Sequence, residues 1–348
     1  VSRIVASGWG AVSSAGWGVA SLTEAVSGAI RPALSRLERT RENGTAVATE
    51  VARVPTLEDR SKLPKEPRLR RASALGKYAA AAVFEALGPE KFAAARAGGH
   101  RVAVIAQIMN GCVNYSNRFF GEVLRDPAVA SPILFPETVY NAPASHLSAM
   151  LRCDGPNDTL LGDAAEWFGA LGLATAWLLR DDCDLCVVVA MEELDWLNAE
   201  ALGLYHKCLV PSEGAAAVIF ERDAEGVELL AVPDGVGYAE EPDRLAALRR
   251  VWDESGVRDD GRTLWSDGRC GVARYDRAEQ AVAASWSGPR ISVRRVLGES
   301  MGAAAGLQTV AALEALRSGE ARRAVVTAVG GNQGVGAACF GEREGSGR

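Results

Sequence analysis

Short apolar runs and amphipathic runs alternate along the chain. RIVASGWGAV (Arg3–Val12), RVAVIAQIM (Arg101–Met109), LCVVVAM (Leu185–Met191), AAAVIFE (Ala215–Glu221) and RAVVTAV (Arg323–Val329) read as strands. SLTEAVSGAI (Ser21–Ile30) and RRASALGKYAAAAVFEAL (Arg70–Leu87) read as helices. Strand and helix in alternation predict parallel or mixed sheets covered by helices. Two polar stretches, Arg36–Arg70 and Ala239–Arg262, read as surface excursions.

One stretch repeats. GALGLATAWLLRDDCDLCVVVA (Gly169–Ala190) aligns without a gap on GLQTVAALEALRSGEARRAVVT (Gly306–Thr327), so that Arg180 falls on Arg317, 137 residues later. That spacing is too long for a solenoid and fits a duplicated α/β half. The helix in each copy is rich in Ala, Gly and Leu and apolar nearly all round, the mark of a helix buried on every side. Two such helices predict a central helical layer between two sheets, with amphipathic helices outside. The expected fold is α/β, a duplicated five-layered α-β-α-β-α sandwich, with halves at 1–222 (a surface insertion at about 36–70) and 223–348.

The 348 residues carry a net charge of −6, with a pI near 5.4. That balance argues against nucleic acid or an anionic membrane surface as partner. No apolar run approaches the ~20 residues of a spanning helix, and VSRIVASGWGAV lacks a secretory layout. The expectation is a cytoplasmic protein with no membrane span. Seven cysteines are scattered and odd in number, which speaks against a disulfide framework. Cys183 and Cys186 form a CxxC, but only three histidines exist and no second ligand pair stands at suitable spacing, so no metal and no cofactor is expected.

GPNDTLLGDAAEWFGALGLATAWLLR (Gly155–Arg180) has the shape of a strand, a sharp turn and a buried helix, where many enzymes mount a nucleophile; the turn holds neither Cys nor Ser. Here the chain resembles the β-ketoacyl synthases of the thiolase fold. RIVASGWGAVSSAGWGVASLTEAV is similar to that family's opening strand, glycine loop and helix. Ser131–Ala164, with Asn141, His146 and Gly155-Pro156-Asn157, matches the segment leading into its active-site cysteine. PSEGAAAVIFE resembles its glutamate-glycine strand at Glu213-Gly214, and LGESMGAAAGLQTVAALEAL its histidine-bearing helix start.

The resemblance implies a cysteine made nucleophilic at a helix N-terminus, two histidines and a lysine. Carried over residue by residue, the cysteine falls on Ala164, the first histidine on Gly268, the second on Glu299 and the lysine on Arg294. The gating loop becomes GGNQGVG (Gly330–Gly336) without its aromatic. The chain is also shortened between Trp196 and Pro211 and before Val325. Alanine forms no thioester, and neither Gly268 nor Glu299 supplies a neutral imidazole.

The resemblance therefore implies a pseudoenzyme of the chain length factor type. Such a subunit forms a heterodimer with a cysteine-bearing ketosynthase in polyketide or fatty-acid-like elongation on an acyl carrier protein. Met109 and Leu134 align with residues that line the family's acyl tunnel and reach across its dimer interface. Trp167 and Phe168 stand where small residues are usual and either pack the core or plug the vestigial pocket. Two other readings stay open. One is a repurposed hydrolase, cyclase or acyl transferase using Asp163, Glu166 and Glu299; for Asp163 and Glu166 the plainer reading is a helix capping box. The other is a homodimeric scaffold. His146 is expected to be packed or hydrogen-bonded, and His206 with Cys208 makes a weak nucleophile pair.

Overall fold

The computed structural model describes residues 2–41, 43–331 and 333–342. The first half runs β1 (Ile4–Ser13), β2 (Gly16–Trp17), α1 (Val19–Val26), β3 (Leu34–Thr40), β4 (Ala46–Ala52), α2 (Ala74–Arg96), β5 (Val102–Ile108), α3 (Val113–Arg125), α4 (Ala142–Leu151), β6 (Asn157–Leu161), α5 (Glu166–Leu179), β7 (Leu185–Glu192), α6 (Trp196–Tyr205) and β8 (Gly214–Arg222). The second runs β9 (Val227–Ala231), β10 (Val236–Gly237), α7 (Arg244–Glu254), β11 (Leu264–Ser266), α8 (Ala273–Ala283), β12 (Arg290–Ile291), α9 (Val293–Leu297), α10 (Ala304–Arg317), β13 (Arg323–Val329) and β14 (Gly334–Gly341).

The two halves share one topology. In the first, the strand order is β1-β8-β7-β5-β6, with β8 antiparallel to β1 and β7, and β5 parallel to β7 and β6. In the second, β9-β14-β13-β11-β12 repeats that order and those directions. The halves join edge to edge where Val5 and Ala6 pair with Glu228 and Val227. The helices α5 and α10 occupy equivalent places, at an offset within one residue of the sequence repeat.

Both central helices are buried because neither has a polar face. All of Ala304–Leu313 is buried, and α5 and α10 pack against strands from both halves. Trp167 Nε1 donates to Thr309 Oγ1 at 2.8 Å, tying one to the other. The outer face of the first half is covered by α2 and α4, that of the second by α7 and α8. The result is the five-layered α-β-α-β-α sandwich. Close packing of α2 on β1 rests on Gly8 and Gly10, where a methyl group would lie 2.0 and 2.1 Å from the carbonyls of Ala86 and Ala82. α2 starts on Ser73, whose hydroxyl accepts from the Gly76 N–H, and bends at Gly88-Pro89.

The polar stretches carry secondary structure of their own. Leu34–Ala52 folds as a two-stranded hairpin, β3 with β4, that packs on α6 through Arg39 over the Trp196 ring and Arg39 and Arg41 near Glu200. Ala239–Arg262 holds α7, which buries Ala247, Leu248 and Val251 against β14. Its arginines and acids mask a short helical apolar stripe, and one of those arginines, Arg244, is itself buried. Among the described residues no helix is long and apolar enough to cross a membrane.

Candidate functional site

The turn Gly162-Asp163-Ala164 leaves β6 and enters α5. Asp163 Oδ1 accepts from the Ala165 N–H at 3.0 Å, and the Glu166 N–H bonds the Asp163 carbonyl at 3.1 Å. Asp163 therefore closes the turn ahead of the helix, whose N-cap residue Ala165 offers no side-chain cap, and its negative charge lies near the favoured helix end. Gln107 Nε2 donates to the Gly162 and Asp163 carbonyls at 2.8 and 3.1 Å and fixes the turn from β5. On the other side lies Gly330, where any Cβ would sit 2.2 Å from Asp163 Oδ1. Only a glycine lets the backbone approach this carboxylate. Of the gating-loop segment, Asn332 lies outside the described residues.

Ala164 stands at this turn, only 2% exposed, and faces a small cleft of about 90 Å³. Met109, Asp163, Cys270, Arg294, Glu299 and Met301 line the same cleft, with Leu202 and Tyr205 entering from α6. Ala164, Arg294 and Glu299, far apart in sequence, thus line one cleft, while Gly268 is not among its lining residues.

Arg294 organises the polar wall. Its Nε donates to Glu299 Oε2 at 3.0 Å, its Nη2 bonds the same oxygen, and its Nη1 donates to the Gly268 carbonyl at 2.6 Å. Glu299 Oε1 accepts from the Met301 N–H at 2.8 Å. One guanidinium therefore links the places of lysine and both histidines. Burial weighs against the Arg294 charge, but the Glu299 carboxylate outweighs it and holds the guanidinium above its ordinary pKa. Behind Gly268, Glu279 Oε1 accepts from the Gly268 N–H at 2.9 Å and from Thr327 Oγ1 at 2.6 Å. Burial first, and the neighbouring Asp267 second, push its pKa up to about 7. Asp267 itself is held by Arg269 at 2.7 Å and by the Ser292 hydroxyl. Burial also pushes the Cys270 thiol to about 11, which leaves it protonated and a poor nucleophile near neutral pH.

The remaining candidates fall elsewhere. Glu166 is half-buried beside Gly162 and Gly169 and is not among the residues lining the cleft; burial, then Asp163, raises its pKa. The three acids Asp163, Glu166 and Glu299 therefore do not converge on the cleft as a set. Trp167 and Phe168 are fully buried in the central layer, and Phe168 packs under Gly336. They fill the space behind the elbow without lining the cleft. Leu134 is 7% exposed within its own chain, whereas its neighbours Ile133 and Phe135 are 64% and 55% exposed. His146 Nε2 lies 2.8 Å from the Glu137 carboxylate. The His206 Nδ1 accepts from the Cys208 backbone N–H at 3.1 Å, so that this nitrogen is engaged with the main chain. Cys183 and Cys186 are buried neighbours at the start of β7.

Glu192 was not singled out by sequence. It is fully buried, and its carboxyl accepts from the N–H groups of Met109 (3.2 Å), Asn110 (3.1 Å) and Gly302 (3.3 Å). Burial, against those bonds, pushes its pKa up to about 8. It ties the end of β5 to the turn before α10 and so holds Met109 in the cleft wall. Its signal was the acidic pair Glu192-Glu193 closing an otherwise apolar strand.

No family model matches the chain. No curated protein matches its sequence. Solved structures do. The ishigamide ketosynthase/chain length factor superposes with a TM-score of 0.79 at 21% identity, covering 97% of this chain and 99% of that one. The ketosynthase (ApeO) in complex with its chain length factor (ApeC) from Xenorhabdus doucetiae gives 0.81 at 14% identity, covering 98% of each. A type II acyl-carrier protein in complex with its ketosynthase bound to the hexaketide (AntDE:AntF) gives 0.80 at 14%, covering 98% and 99%. Over nearly its whole length, the chain has the thiolase-type fold of the ketosynthases and chain length factors.

Proposed function

We propose that this chain is a non-catalytic, ketosynthase-like subunit of the chain length factor type. It pairs with a cysteine-bearing ketosynthase, and the pair extends a β-keto or polyene chain on an acyl carrier protein. The observation that carries this reading is the wall opposite Ala164. A helix N-terminus remains where a nucleophile would gain most from the dipole, yet it presents a methyl group. Arg294 and Glu299 on that wall are consumed in an ion pair, and among the described residues no imidazole lines the cleft to polarise a thioester or assist decarboxylation.

The partner face is supported by β6. It ends the strand order, with pairing only to β5 among the described residues, and Leu161 on it is 56% exposed. A bare strand edge invites another chain. Phe120, Leu124, Val129, Ile133 and Phe135, between β5 and β6, add large exposed apolar groups, which in a lone subunit would be a liability. Fold likeness supports this reading by analogy. The test is coexpression with a cysteine-bearing ketosynthase from the same source. The two should copurify, and Met109→Trp in this chain should change the length of the carrier-bound product. Separate elution of the two chains, or unchanged product length, counts against the proposal.

A further inference from the structure

We draw no further inference here: the strongest candidate, the cleft beside Trp9 at the seam where β1 meets β9, carries three arginines and three glutamates among the described residues of its wall and so singles out no ligand charge, and nothing in the structure shows what covers it.

Discussion

Both carboxylate oxygens of Glu299 are committed, one to the Arg294 guanidinium and one to the Met301 N–H. An acid held this way ties α9 to the turn before α10. Removing it strands a guanidinium in a wall that leaves only 12% of the Arg294 side chain exposed. Glu299→Ala should therefore cost roughly 3–5 kcal/mol in urea unfolding of the full chain. Replacing both partners together, Arg294→Met with Glu299→Leu, should recover most of that loss. Glu279 makes a separate statement. Its folded pKa of about 7 lies above the ordinary carboxylate value near 4.5, so the folded state binds more protons than the unfolded one between those limits. Stability from this group is fully present below about pH 4.5 and is lost as pH rises through 7, on the order of 3 kcal/mol in all. Glu279→Gln should flatten that part of the stability–pH curve; an unchanged slope in thermal unfolding between pH 5 and 7.5 contradicts the assignment.

At the scale of elements, the elbow persists because it starts the central helix that both sheets share. Trp167 fills the gap between α5 and α10 and bonds Thr309, so Trp167→Ala should destabilise the chain by about 3–5 kcal/mol, read by urea unfolding. An exposed edge position behaves differently. Leu161→Asp on β6 should leave the thermal midpoint within about 2 °C and abolish copurification with the ketosynthase. Much of this organisation was legible in the sequence. The buried helices declared themselves by having no polar face, and β5, β7, β8 and β13 by mainly apolar runs. Two things were not legible. α7 hides its buried face, because Ala247, Leu248 and Val251 stand among arginines and acids that together read as a loop. The Arg294–Glu299 bond was also hidden. Alignment could place each residue at a vestigial position, but the five-residue separation across α9 and a turn gives no helical register from which to infer contact. Glu166 illustrates the converse. It is three residues from Asp163, yet the turn of α5 carries it away from the cleft.

On the scale of the whole molecule, the strand order repeats in the two halves, and each half contributes to the cleft: Met109, Asp163 and Ala164 from the first, Cys270, Arg294 and Glu299 from the second. A site built between two copies of one unit is kept in shape by the same packing that holds the halves together. The most direct measurement of the account is intact-mass analysis of acyl carrier protein after incubation with acyl and malonyl carriers, once with this chain alone and once with the ketosynthase pair. The account predicts no extended product from the chain alone and extended product from the pair. A new carbon–carbon bond formed by the isolated chain would contradict it.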